Sequence, residues 1–237
     1  MVFGRPPGRL WDGGAADVDQ RKERLTRVTL HRLFGVVLAT LAVTATAASA
    51  GLTGGAQLDE LVLRASQLGP GYKLLHRPDG DGAKGFVTLD MCGYRFTSEA
   101  VRTDRLQVNY DRAGAVIKYS NEVVSYAPGG TRLALRELNQ AVNRCPSGPV
   151  PSTVRGVPQM SYRITRLSTS GLLPGAVALR VKISGVYKGK RFAETVAAIY
   201  QVHANVLSGL YAYGGSDKER ERAALRAAKQ SRANLIG

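Results

Sequence analysis

Apolar and polar residues alternate through much of the second half of the chain, and this pattern restricts the possible folds more than any other feature. Alternation with a period of two is typical of β-strands that bury one face. It is clearest in residues 176–187, where the apolar face consists of Val177, Leu179, Val181 and Ile183. Two further strand-like segments, residues 191–203 and 206–213, follow after short turns. Segments joined by such short turns pair antiparallel, so the pattern predicts a meander.

The first half of the chain mixes strand and helix patterns. Apolar residues recur at three- and four-residue steps in residues 57–68 and 131–145, which predicts two helices, the second with Thr131 as its N-cap. A capping box formed by Ser216 and Glu219 predicts a last helix that runs to about Ala233. The remaining predicted strands are residues 72–76, 86–92, 105–110, 116–126 and 161–167, with 105–110 and 116–126 as an antiparallel pair.

Runs of strands with a few helices between and after them predict an α+β fold. We expect a single domain with a largely antiparallel β-sheet and flanking helices. The helices are expected to cover one face of the sheet, and the other face to be partly solvated or to form a cleft.

The amino-terminal fifty residues have the layout of a secretory signal peptide. A basic cluster from Arg21 to Arg32 precedes an uncharged apolar run that starts at Leu33 and closes with the small residues Ala48 and Ala50. This layout predicts a signal peptide over residues 28–50 and an extracytoplasmic domain over residues 51–237. The alternative is a single N-terminal membrane anchor, because the run is near the lower limit of a spanning length. Residues 1–27 are interpreted as a disordered leader or as a mis-assigned start.

The charge of the chain is strongly positive. Of 33 basic and 18 acidic residues, 26 and 14 lie after residue 50, so the exported part carries a net charge of +12. A cationic surface outside the cell favours contact with anionic lipid or envelope polymer. No nucleic-acid partner is expected, because an exported protein rarely meets DNA and the sequence has no helix-turn-helix or zinc-finger spacing. Lys188, Lys190 and Arg191 form a basic hairpin tip. These residues either contact a polyanion or keep the hairpin soluble.

Cys92 and Cys145 are the two cysteines of the chain. An even number of cysteines in an exported protein predicts one disulfide, with two buried reduced thiols as the alternative. The disulfide would close a loop of 54 residues.

The sequence lacks the motifs of the common enzyme classes. It contains no nucleophile elbow, phosphate-binding loop or metal-ligand spacing, so no catalytic residue, metal or cofactor is predicted. Tyr200, Tyr211 and Tyr213 fall on predicted strands, where they either line a ligand pocket or belong to ordinary strand packing.

Several segments together resemble a known family. They are Gly71-Tyr72 after a short helix, residues 87–93 around Cys92, residues 98–103, residues 120–124, and residues 138–146 ending in Cys145-Pro146. Over about residues 56–235 the chain resembles the secreted sensor-domain proteins of actinobacteria, which are related to the extracellular domain of PknH-type serine/threonine kinases. The resemblance implies one extracytoplasmic α+β domain, a cleft for an unidentified ligand, and a bond between Cys92 and Cys145. The chain lacks the second disulfide of the kinase sensors and has no kinase domain.

These features lead to two functional hypotheses. The first is a secreted, non-enzymatic, sensor-like module that binds an unknown small molecule. The second is an envelope-associated interaction protein that holds anionic polymers through its cationic surface. Membrane contact is expected only through the signal segment, if that segment is not cleaved.

Overall fold

An eight-stranded antiparallel sheet forms the centre of the domain in the computed structural model, which describes residues 55–76, 87–154 and 156–237. The predictions for residues 1–27 and 28–50 lie outside the described residues. In chain order the elements are α1 (Gly55–Leu61), α2 (Ala65–Leu68), β1 (Lys73–His76), a 3-10 helix (Thr97–Val101), β2 (Arg102–Asp111), β3 (Lys118–Tyr126), α3 (Gly130–Asn143), β4 (Val150–Pro151), β5 (Gln159–Arg166), β6 (Val177–Tyr187), β7 (Lys190–His203), β8 (Val206–Tyr213) and α4 (Asp217–Ile236). Neighbouring strands lie in the order β1-β2-β3-β8-β7-β6-β5-β4.

The sheet confirms the predicted α+β fold and the antiparallel pairing of its central strands. β2 and β3 pair antiparallel, and β6, β7 and β8 form the expected meander. The β6–β7 turn places Lys188 and Gly189 in the left-handed region, at φ 47° and 75°. Two consecutive left-handed residues match the right-handed twist of the flanking strands, so this loop makes a tight hairpin.

Helices pack on both faces of the sheet, so the prediction that they cover one face is wrong. On the first face, here called the α3 face, Ala134 and Leu138 of α3 belong to one core cluster with Tyr200 of β7. On the opposite α4 face, the alanines of α4 pack with Ile199 of β7 and with α1. β7 therefore buries both of its faces, which explains why residues 196–201 are buried without interruption.

Residues 87–92 form no strand, contrary to the strand predicted over residues 86–92 (Phe86 lies outside the described residues). The backbone N–H groups of Thr88 and Leu89 donate to the two carboxylate oxygens of Glu99, each at 2.9 Å. Glu99 thus supplies the acceptors that a neighbouring strand would otherwise provide.

The predicted helix over residues 57–68 is divided into α1 and α2. Between them the N–H of Leu63 donates to Asn121 Oδ1 at 2.8 Å, and the Tyr110 hydroxyl donates to the Leu63 carbonyl. Side chains of β2 and β3 therefore replace helical hydrogen bonds at this point.

Thr131 is not the N-cap of α3. The helix begins at Gly130, with Gly129 as its cap, and the Thr131 hydroxyl donates to the carbonyl of Ala204 at 3.1 Å. An added Cβ on Gly130 would lie 2.7 Å from Tyr126 Cβ, so only glycine permits this close start against β3.

A disulfide joins Cys92 to Cys145, as expected, with their Cα atoms 5.0 Å apart. It connects the irregular segment before the 3-10 helix to the residue two positions after α3. Among the described residues, none of the helices is both long enough and apolar enough to span a membrane.

Candidate anion-binding cleft

A cleft of about 720 Å³ opens on the α4 face, between α2, the turn that joins β2 to β3, and α4. The cleft mixes apolar, aromatic and cationic side chains. Its lining consists of residues 66–70, Tyr72, Arg112, residues 115–117, Tyr119, Glu219, Arg222, Ala223, Arg226, Ala227, Lys229 and Gln230.

Helix α4 supplies three of the cations in the cleft. Arg222, Arg226 and Lys229 follow one another at steps of four and three residues, so they form a stripe along one side of the helix. All three are exposed. The adjacent stripe of α4 is buried against the sheet and consists mainly of small residues: Ala223, Ala224, Ala227, Ala228 and Ser231. Small side chains let the helix lie close to the sheet, and the long cationic side chains then extend along its flank.

Two of the three acidic residues of α4, Asp217 and Glu221, are engaged outside the cleft. Asp217 pairs with Arg220 and, at 2.9 Å, with Arg180 of β6. Glu221 pairs with the same Arg180, also at 2.9 Å. Hydrogen bonding from Arg180 and the nearby cations holds the pKa of Asp217 below its ordinary value. These two carboxylates therefore form ion pairs at the amino-terminal end of α4, where the helix contacts β6.

Among the described residues, Glu219 is the one carboxylate that lines the cleft. Its Oε2 accepts hydrogen bonds from the Ser216 hydroxyl at 2.7 Å and from the Ser216 N–H at 2.9 Å. These bonds complete the predicted capping box and lower the pKa of Glu219. Arg222 lowers it further through its charge.

Arg112 provides the fourth cation, from the wall opposite α4. Its guanidinium lies 5.0 Å from the centroid of the Tyr72 ring, and its Nη1 donates to the Pro70 carbonyl at 3.2 Å. The Tyr72 hydroxyl in turn donates to the carbonyl of Ile117 at 2.9 Å. Gly71 makes room for this arrangement, because an added Cβ would lie 3.1 Å from Arg112 Cδ. Arg112 is thus held over Tyr72 by a cation–π contact and a hydrogen bond.

Cations from both walls act on Tyr119 at the base of the cleft. Burial and the adjacent Tyr72 raise the pKa of Tyr119 to about 12, while Arg226 and Arg112 oppose this rise. The rings of Tyr72 and Tyr119 meet edge to face, with centroids 5.3 Å apart. Tyr119 therefore stays neutral at physiological pH, and its hydroxyl lies within electrostatic reach of both Arg226 and Arg112.

The charged side chains of the lining make the cleft electropositive. Four cationic side chains face one carboxylate, which gives the lining a formal charge of +3. In the part of the chain that the structure describes, none of the ion pairs involves Arg112, Arg222, Arg226 or Lys229. Such a cleft attracts anions of more than one charge.

The predicted tyrosine set lies on the α3 face, away from this cleft. Tyr200 and Tyr211 are buried in one core cluster, with ring centroids 5.9 Å apart in an edge-to-face arrangement, and Tyr213 packs against it half-buried. Burial raises the pKa of Tyr211 well above its ordinary value. The structure thus brings the three residues together within the core, and their role in ligand binding stays a prediction.

The predicted polyanion contacts lie at the β6–β7 hairpin. Lys188, Lys190 and Arg191 are all exposed, and the Lys188 ammonium lies 5.4 Å from the centroid of the Tyr187 ring. Arg191 shares the uncovered α4-side surface of β5, β6 and β7 with Arg163 and Lys182, which are directly opposite each other on neighbouring strands. This surface is called the basic sheet face below.

The cleft itself was missed in the sequence. Arg112 and Arg226 are more than one hundred positions apart, and only the fold brings them together. One signal was present, namely the three cations Arg222, Arg226 and Lys229 at helical spacing on α4. Groups of three or more His, Cys, Asp or Glu side chains that could hold a metal ion are absent among residues 55–76, 87–154 and 156–237.

Comparison with known proteins finds similarity to solved structures. No protein-family model matches the chain, and no curated protein matches it. The extracellular domain of PknH from Mycobacterium tuberculosis is similar in structure, with a TM-score of 0.46 and 10% sequence identity. The similarity covers 76% of this chain and 96% of that one.

Proposed function

We propose that this chain is an extracytoplasmic, non-enzymatic binding module whose α4-side cleft takes an anionic ligand. One observation carries the proposal: four cations line the cleft and its single carboxylate is already hydrogen-bonded to Ser216. Cations that have no acidic partner among the described residues and lie in a concave site are arranged for an anion from outside the chain.

The extracytoplasmic location is supported by two independent features. The signal-peptide layout precedes a domain whose two cysteines form a disulfide. Disulfides persist in oxidising compartments and are rare in the cytosol of most cells. The sensor role that the family resemblance implies stays a prediction.

Binding rather than catalysis is supported by the chemistry of the lining. The described residues of the cleft offer cations, tyrosines, amides, one serine and apolar groups, with neither a histidine nor a cysteine among them. The single carboxylate, that of Glu219, is held by its hydrogen bonds from Ser216. Arginines bind anions well but do not act as bases at neutral pH, because they remain protonated.

Isothermal titration calorimetry with citrate and pyrophosphate tests the proposal on the full chain. The double variant Arg222→Gln/Arg226→Gln removes two cleft cations, and Arg132→Gln/Arg136→Gln removes two exposed cations from α3 on the opposite face. The two variants carry the same net charge. We expect binding of at least one anion to weaken about tenfold or more in the cleft variant only. Equal weakening in both variants, or no binding of either anion to the parent chain, would overturn the proposal.

A second candidate function is attachment to an anionic envelope polymer through the basic sheet face. The observation that favours it is the exposed cross-strand pair of Arg163 and Lys182, since like charges directly opposite each other destabilise a sheet. Asp217 of α4, 3.6 Å from the Lys182 ammonium, offsets only part of this repulsion. An external polyanion would relieve this repulsion. Binding of poly-L-glutamate should then be lost in Arg163→Gln/Arg191→Gln and kept in the cleft variant. It should also weaken steeply with salt, as contacts between exposed charges do.

A further inference from the structure

We infer that the ligand of the cleft is a phosphate ester attached to an apolar group. This inference rests on the proposed function and adds the chemical class of the ligand. The shared chemistry belongs both to soluble organic phosphates and to phospholipid headgroups, and the experiment below separates these sources.

The cationic groups of the cleft favour phosphate over a single carboxylate. Three of the four cations are arginines, whose planar guanidinium donates two parallel hydrogen bonds to a phosphate or carboxylate. The formal charge of +3 is better matched by a phosphomonoester, which carries close to two negative charges at neutral pH, than by a monocarboxylate. Arg112 follows β2 and Arg226 belongs to α4, and both line the cleft, so an anion held between these two walls is attracted by both guanidinium groups.

The apolar part of the lining calls for an organic group beside the phosphate. Val116 is 63% exposed and lines the cleft, next to Ile117 and Leu68. It is the most exposed of the large apolar side chains that the described residues leave outside the core. A ligand with an apolar portion would remove this side chain from water and gain about 25 cal/mol for each Å² that it covers.

The size of the cleft agrees with such a ligand. A volume of about 720 Å³ lies within the range of small-molecule sites. A phosphate group is only a few times larger than a water molecule, which takes up roughly 30 Å³ in the liquid, so most of the cleft is left for the organic part.

Calorimetric titration of the full chain with phenyl phosphate, inorganic phosphate and benzoate tests this ligand class. Phenyl phosphate carries both a phosphate group and an apolar ring. Inorganic phosphate has the phosphate without the ring, and benzoate has the ring without the phosphate. We expect phenyl phosphate to bind about tenfold tighter than either. Val116→Ser should weaken phenyl phosphate about threefold or more and leave inorganic phosphate unchanged. The matched control is Val186→Ser, an exposed valine on β6 that lies outside the cleft and should change neither affinity.

Vesicles distinguish the two sources of the phosphate. Phosphatidylcholine vesicles with one tenth phosphatidic acid are compared with vesicles that contain phosphatidylserine at equal surface charge. Stronger recruitment to phosphatidic acid, lost in Arg222→Gln/Arg226→Gln and kept in Arg132→Gln/Arg136→Gln, assigns the site to a lipid headgroup. Equal recruitment to both vesicles, with tight binding of phenyl phosphate, assigns it to a soluble phosphate ester.

The inference and the proposed function fail in different ways. If benzoate or citrate binds the cleft as tightly as phenyl phosphate, and the Arg222→Gln/Arg226→Gln variant loses that binding, the phosphate class is wrong and the anion-binding module stands. If the Arg222→Gln/Arg226→Gln variant binds every probe as the parent chain does, both the phosphate class and the anion-binding cleft are wrong.

Discussion

Arg105 of β2 donates through its Nε to Glu122 Oε1 of β3, and the two side chains are 0% and 1% exposed. Thr88 donates its hydroxyl to the same carboxylate oxygen at 2.9 Å. Arg105 also donates to Gln107, whose amide donates to the Ser120 hydroxyl at 2.7 Å. A buried ion pair of this kind is maintained by further hydrogen bonds around it, and losing one partner leaves an uncompensated charge.

Replacing Arg105 alone should therefore destabilise the folded domain strongly. We expect Arg105→Met to lower the free energy of unfolding by about 3 kcal/mol or more, because Glu122 stays buried without its cation. The double variant Arg105→Met/Glu122→Leu should recover most of this loss. Lys118→Met is the control, since it breaks the partly exposed pair with Asp111 and should cost about 1 kcal/mol or less. Urea unfolding measures all three variants, and equal costs for the two single variants would contradict the argument.

The arrangement of the core tyrosines depends on Gly209. An added Cβ at this position would lie 2.8 Å from the Tyr211 hydroxyl oxygen, so Gly209→Ala must displace the ring. We expect a loss of about 1–3 kcal/mol in urea unfolding and a changed near-ultraviolet circular dichroism spectrum. Gly148→Ala is the control, because an added Cβ there meets nothing within 4 Å.

The tyrosine hydroxyl itself is tested by a second substitution. Tyr211→Phe in the Gly209→Ala background removes the nearest atom and should restore part of the stability. No recovery would show that the clash with this hydroxyl is not the cause of the loss.

Glu137 should make the stability of the domain sensitive to acid. Burial raises the pKa of its carboxyl, but hydrogen bonds from Thr97 and Ser98 outweigh burial and lower the pKa below its ordinary value of 4.5. A lowered pKa in the folded state means that the stabilisation is present above this value and is lost as the pH falls through the folded pKa.

The difference in unfolding free energy between the parent chain and Glu137→Gln should therefore shrink below about pH 4.5. Thermal unfolding at a series of pH values measures this difference. Glu60→Gln, at an exposed position on α1, serves as the control. A difference that stays constant down to about pH 3 would contradict the assignment.

The disulfide should contribute much of the stability of the domain. Because it closes a loop of 54 residues, we expect Cys92→Ser/Cys145→Ser to lower the free energy of unfolding by about 4 kcal/mol in the chain-entropy model. Urea unfolding with and without dithiothreitol checks this value, and the reduced parent chain should behave like the variant. A loss below about 1 kcal/mol would mean that the α3 contacts alone hold residues 87–96 in place.

Local patterns predicted those elements whose shape depends on their own residues. Residues 176–187 alternate because β6 buries one face for most of its length, and β6 is observed over Val177–Tyr187. Ser216 and Glu219 form a capping box through atoms three residues apart, so this helix start was also predictable. In both cases, the pattern that identifies the element lies within the segment itself.

The wrong predictions arise where a side chain that is distant in the sequence determines the backbone conformation through its hydrogen bonds. Glu99 takes the hydrogen bonds of residues 88–89 and prevents a strand there. Asn121 interrupts the first helix at Leu63. The cleft follows the same rule, because its walls come from the β2–β3 turn and from α4. Periodicity within one segment contains no information about these partners.

The most direct test of the anion-binding cleft is an NMR titration of the full chain with phenyl phosphate, with the arginine side-chain Nε–H resonances observed. We expect saturable shifts with one common dissociation constant for Arg112, Arg222 and Arg226. Arg132 and Arg136 of α3 should not shift. Shifts of similar size at all exposed arginines, without saturation, would contradict it.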